Sequence, residues 1–106
     1  MALQLDRLLE TAVTQNAIET WLVPGKPPLF RIEGVFREGM IPPLTVEDVE
    51  GLLSVKDESI RQQYDTRNIA DFPLAYGHNY VRFQVTVVKT STEPLAMLRL
   101  TNRPAV

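Results

Sequence analysis

Leu5, Leu8, Leu9, Ala12 and Val13 recur at i, i+3, i+4, i+7 and i+8. That spacing gathers them into one apolar stripe and predicts an amphipathic helix near 3–15. Asp6, Arg7, Glu10 and Gln15 fall largely outside the stripe. Thr20-Trp21-Leu22-Val23 reads as a short strand that ends at Pro24-Gly25-Lys26-Pro27-Pro28, a run unfit for helix or central sheet. Leu29–Ile32 and Val35–Arg37 are β-rich runs separated by Glu33-Gly34. Two residues with Gly second suit a tight hairpin turn.

Further along, Pro42-Pro43 leads to Thr45-Val46-Glu47-Asp48. Thr45 can cap a helix there, and Glu47 and Asp48 suit the positive end of its dipole. Val46, Val49, Leu52 and Leu53 supply the expected buried stripe, and Ile60 and Tyr64 anchor another short helix around 57–65. The remainder reads as sheet. Ile69–Tyr76 contains Pro73, which predicts an edge strand or a bulge. Gly77-His78-Asn79 reads as a turn. Val81, Phe83, Val85 and Val87 then alternate with Arg82, Gln84 and Thr86, and Ala96, Leu98 and Leu100 alternate with Met97 and Arg99.

Helix, three strands, two helices and three strands, joined by short turns, favour antiparallel pairing with helices packed on the sheet. The expected fold is α+β, with about five to six strands. One domain is expected over 1–101, with a tail or linker beginning at 102–106.

Composition narrows the chemistry. The 106 residues carry a formal net charge of −2, so there is no basic excess for a nucleic-acid backbone. No apolar run is long enough for a transmembrane helix, and the first residues lack the layout of a secretion signal. A cytoplasmic location is expected. With no cysteine and one histidine, thiolate sites and His-based zinc sites are excluded. His78, in a turn, reads as a solvated surface residue. The glycines stand singly, and Gly25-Lys26 is followed by two prolines that lack the N–H groups a phosphate loop requires. No catalytic residue, metal site or cofactor of the chain's own is expected.

The arginines are the candidate chemistry. Arg82 and Arg99 lie on the two clearest strands, and Arg31 and Arg37 on the early hairpin. Alternation turns Arg82 away from the core. Spacing leaves open whether that face is merely solvated or meets an anion or a partner. Trp21 has two readings as well, a core filler or an exposed contact anchor.

Leu22-Val23-Pro24-Gly25-Lys26-Pro27-Pro28-Leu29-Phe30-Arg31-Ile32-Glu33-Gly34 resembles the strand, Pro-Gly-x-Pro-Pro turn and R-[IV]-[DE]-G hairpin of type IV pilus retraction ATPases. Pro43-Leu44-Thr45-Val46-Glu47-Asp48-Val49 is similar to their P-L-T-x-E-D-V helix start. Asp71-Phe72, Arg82-Phe83-Gln84-Val85 and Leu98-Arg99 resemble their D-F-[AS], R-F-R-V-N and [VF]-[LF]-R segments, in the same order. Type II secretion ATPases share a looser version.

The resemblance implies a PAS-like N-terminal domain of a hexameric motor. In that family a RecA-like ATPase domain carries the P-loop, with ATP and Mg held at the full-length protein's domain junction. The partner it implies is the RecA-like domain of the same or a neighbouring subunit, toward whose nucleotide Arg99 and Arg82 would face. Arg31, Arg37 and Trp21 are interface candidates. Asp71 would brace a strand turn.

Within R-F-R-V-N two positions depart: Gln84 stands for the second arginine, and Thr86 for the Asn. The family's Ser-Asp and His on the first strand are replaced by Glu19, Thr20 and Trp21. The chain's end at Val106 falls near the family's linker, which implies the regulatory half without the motor. The alternative reading is a free-standing PAS-like adaptor that binds another protein. The isolated chain is expected to be a monomer or weak dimer.

Overall fold

A computed structural model describes residues 4–76 and 81–102. The expected turn at Gly77-His78-Asn79 lies outside the described residues. Helix α1 spans Leu5–Thr14, with Leu8, Leu9 and Ala12 buried, as its stripe requires. Strands β1 (Glu19–Leu22), β2 (Leu29–Ile32) and β3 (Val35–Glu38) follow. Glu33 (φ 52°) and Gly34 (φ 82°) both adopt left-handed backbone, which gives the two-residue turn a twist matching its strands. Glu33 adopts this backbone in place of the Asn or Asp usually found there.

Helix α2 (Val46–Glu50) begins with a reciprocal cap. The Asp48 N–H donates to Thr45 Oγ1 at 3.1 Å, and the Thr45 N–H donates to Asp48 Oδ2 at 2.9 Å. A 3-10 turn, Gly51–Ser54, continues it and buries Leu52 and Leu53. Val49 is buried too, but Val46 is 40% exposed. It is the first helical residue, directly after the capping Thr45. Helix α3 spans Glu58–Arg67 and is capped by Asp57, whose carboxylate accepts from the Ser59 hydroxyl and N–H. Those bonds hold the Asp57 carboxyl below its ordinary pKa. Its small stabilising contribution is therefore present above the ordinary carboxylate range and fades as pH falls through the lowered value.

Strands β4 (Ile69–Tyr76), β5 (Val81–Lys89) and β6 (Pro94–Asn102) complete an all-antiparallel six-stranded sheet, ordered β3-β2-β1-β6-β5-β4. β6 is longer than its alternating core suggests, because both ends keep pairing with β5. β4 is an edge strand, which accommodates Pro73. The Lys89 N–H donates to the Asn68 carbonyl at 2.8 Å, which sets the alternation of the β4–β5 ladder. Pro73 then falls in a pair that exchanges no backbone bonds, so its missing N–H would have pointed outward.

The core lies between the helices and one face of the sheet. Leu22, Phe30, Ala70, Phe72, Val81, Phe83, Val85, Val87, Ala96 and Leu98 pack there against Leu8, Leu9, Leu52, Leu53, Ile60 and Tyr64. Period-two burial on β5 and β6 leaves the opposite face without a covering layer from the described helices.

Thr20 also points into this core. It is 1% exposed, and its hydroxyl has no hydrogen-bond partner among the described residues. Thr20→Val keeps the shape and removes an unpaired buried polar atom. It is expected to raise stability by about 1 kcal/mol in urea unfolding. A loss of stability would mean that the hydroxyl is satisfied in solution.

Candidate functional site

The uncovered sheet face collects the residues singled out above, Arg37 excepted. The strand registers set one row of side chains across it: Phe36, Arg31, Glu19, Arg99, Gln84 and Pro73. A second row alongside contains Leu29, Trp21, Met97, Thr86 and Asp71. Sequence positions far apart meet here because β1 lies between β2 and β6.

Glu19 organises the β1–β2 end. Its Oε1 accepts from the Trp21 indole N–H at 3.1 Å and pairs with Arg31 Nη1 at 3.4 Å. The Arg31 guanidinium lies 5.8 Å from the centre of the Phe36 ring, and Trp21 meets Phe36 edge-on at 6.5 Å. Arg31 Nε is buried and without a hydrogen-bond partner among the described residues. Trp21 is thus not a core filler: it is half-buried on the open face, held by Glu19. In the sequence Glu19 stands out only as a departure from the family pattern, and Phe36 only as part of a β-rich run. Their signal was parity, since Glu19 shares a strand face with Trp21, but it becomes readable only once the registers are known.

The β5–β4 end is built differently. Gln84 donates its amide to Asp71 Oδ1, and the Thr86 hydroxyl donates to the same oxygen at 3.4 Å. Asp71 is the third residue of β4, opposite Thr86, and these bonds tie β4 to β5 across the sheet rather than bracing a strand turn. Gln84 also stands directly across from Arg99.

Arg99 and Arg82 are exposed on this face, and neither guanidinium has a hydrogen-bond or ion-pair partner among the described residues. They are not adjacent. Arg99 lies between Glu19 and Gln84, whereas Arg82 lies at the start of β5, beside a register shift, opposite Ala75 and Asn102. Arg37 does not join them. It pairs with Phe30, whose side chain enters the core, so Arg37 belongs to the other side of the sheet, where it is exposed. Among the described residues no group of three or more His, Asp or Glu could hold a metal ion, and no helix is long and apolar enough to cross a membrane. Among the described residues the face thus carries two guanidinium groups without internal partners beside an aromatic ledge of Trp21 and Phe36.

No family model matches the chain, and no curated protein matches it. Solved structures do. The pilus retraction motor PilT with bound ADP superposes with a TM-score of 0.82 at 24% identity, over 98% of this chain and 30% of that one. The Legionella pneumophila ATPase DotB gives 0.79 at 18% identity, over 92% of this chain and 28% of its own. The Yersinia pseudotuberculosis ATPase DotB gives 0.67 at 13% identity, over 93% and 30%. These likenesses establish the fold, an antiparallel α+β domain, and this chain spans less than a third of each of those chains.

Proposed function

We propose that the chain is a non-catalytic, PAS-like N-terminal domain of a pilus-retraction or secretion ATPase, which packs on a RecA-like motor domain and presents Arg99 and Arg82 toward nucleotide. The observation that carries this reading is the fit of nearly the whole chain onto under a third of an ADP-bound motor. The unpaired guanidinium groups on the uncovered face support it physically. Arginine with no internal partner keeps its fork of donors available for phosphate, and exposure leaves room for a second domain to close over it.

One observation favours the alternative, an adaptor that borrows the fold to bind another protein. Gln84 replaces a guanidinium with a neutral amide, and that amide is already engaged by Asp71.

Co-purification with the RecA-like domain of the matching motor separates the two readings. The expected result is a complex whose ATPase rate differs from that of the motor domain alone. The chain by itself should show no micromolar affinity for ATP by calorimetry, since it has no phosphate loop. Absence of a complex, with an unchanged rate at saturating chain, would overturn the motor reading.

A further inference from the structure

The two edges of the sheet are not alike. On β4, Pro73 lacks the outward N–H, and its outward carbonyl accepts from Lys56 Nζ at 3.1 Å. A proline and a lysine at mid-strand block addition of another strand there. The β3 edge carries no such block. The Gly39 N–H donates to the Pro28 carbonyl at 2.8 Å, so 28–39, 30–37 and 32–35 are the pairs that exchange backbone bonds. The Ile18 N–H donates to the Arg31 carbonyl at 3.1 Å, in agreement with Arg31 turning its backbone toward β1. Phe36 and Glu38 consequently direct their backbone N–H and C=O groups away from β2. All four β3 residues are exposed, Val35 by 54% and Phe36 by 50%.

We infer that β3 is a self-association edge, which pairs antiparallel with β3 of a second copy about a two-fold axis at Phe36. The outward groups permit two registers centred on this strand. With Arg37 at the axis, two guanidinium groups would face each other directly, which is unfavourable. With Phe36 at the axis, the two Phe36 rings are opposite, each Arg37 faces Val35 of the second copy, and the turn carboxylate Glu33 of that copy lies next along the same row. This second register matches aromatic to aromatic and sets acid near base. It also extends the Trp21–Phe36 contact into an aromatic cluster across the axis. Because β4 is blocked, the pairing closes as a dimer and does not propagate into a filament. Four residues a side bury far less than the roughly 1,200 Å² of a stable interface, so the dimer is weak.

Sedimentation equilibrium of this chain over a wide concentration range tests the inference, with the emission of its single tryptophan, Trp21, as a local reporter. The expected result is a weight-average mass that rises from 12.0 kDa toward twice that value, with a parallel change in Trp21 emission. Phe36→Arg and Glu38→Pro should each weaken association at least ten-fold. Glu38→Pro removes an outward N–H and no bond to β2, so it carries the test if Phe36→Arg does not fold. A mass fixed at 12.0 kDa throughout, association that both variants leave intact, or growth beyond a dimer would each overturn the inference.

Discussion

Phe83→Asp is expected to abolish cooperative folding. Phe83 is 1% exposed, is the third residue of β5, and has Leu74 and Leu100 opposite it on the two neighbouring strands. Truncating such a ring alone costs about 3–5 kcal/mol through lost burial and the cavity left behind. Aspartate adds a carboxylate with no cation in the core to meet it, at a further cost of several kcal/mol. A domain of this size holds only about 5–15 kcal/mol in total. The variant should therefore show no sigmoidal urea transition and no near-ultraviolet circular dichroism. Arg82→Asp, one residue earlier on the uncovered face, makes the matching control and should shift stability by about 0.5 kcal/mol or less. A folded Phe83→Asp protein with a Tm near that of the parent would refute the layer assignment itself.

That contrast between neighbours is what the sequence states most clearly. Period-two burial along Val81–Val87, the helical stripe from Leu5 to Val13, the Glu33-Gly34 turn and the edge position of Pro73 are local signals, and each reappears in the structure. Where a signal depended on orientation at an element's end, it failed. Val46 has the right spacing for the α2 stripe but sits at the first helical position, where the turn that would bury it does not exist.

The candidate face was legible only in pieces. Alternation placed Arg82, Gln84 and Arg99 away from the core, but no period along the chain encodes that β1 inserts between β2 and β6. That long-range choice puts Glu19 between Arg31 and Arg99, and it turns Trp21 from an ambiguous strand aromatic into one element of a polar-aromatic cluster. Likewise, the family resemblance implies that Asp71 braces a strand turn. Its real partners, Gln84 and Thr86, come from the β4–β5 register. Side-chain chemistry was visible in the sequence, and its assembly required the pairing order.

Arg99→Ala should separate function from folding most sharply. The side chain is exposed and has no hydrogen-bond or ion-pair partner among the described residues, so its loss should change stability by about 0.5 kcal/mol or less. In the motor assembly proposed above, the same change removes a fixed cation from the nucleotide phosphates. Loss of one such charge-stabilising donor typically lowers turnover by about 10²-fold. Steady-state ATP hydrolysis by the assembled complex, alongside urea unfolding of the chain, measures both effects. Arg99→Lys should recover only part of the rate, because an ammonium keeps the charge but not the planar fork. Gln84→Arg tests the same site from the other side: it would set a second guanidinium across from Arg99, beside the Asp71 carboxylate, and should tighten ATP binding by the complex. A turnover within two-fold of the parent for Arg99→Ala would remove Arg99 from the nucleotide site, and the uncovered face would then be read as the contact surface of an adaptor. A large loss of stability would instead make Arg99 a structural residue, with a partner that forms only in solution.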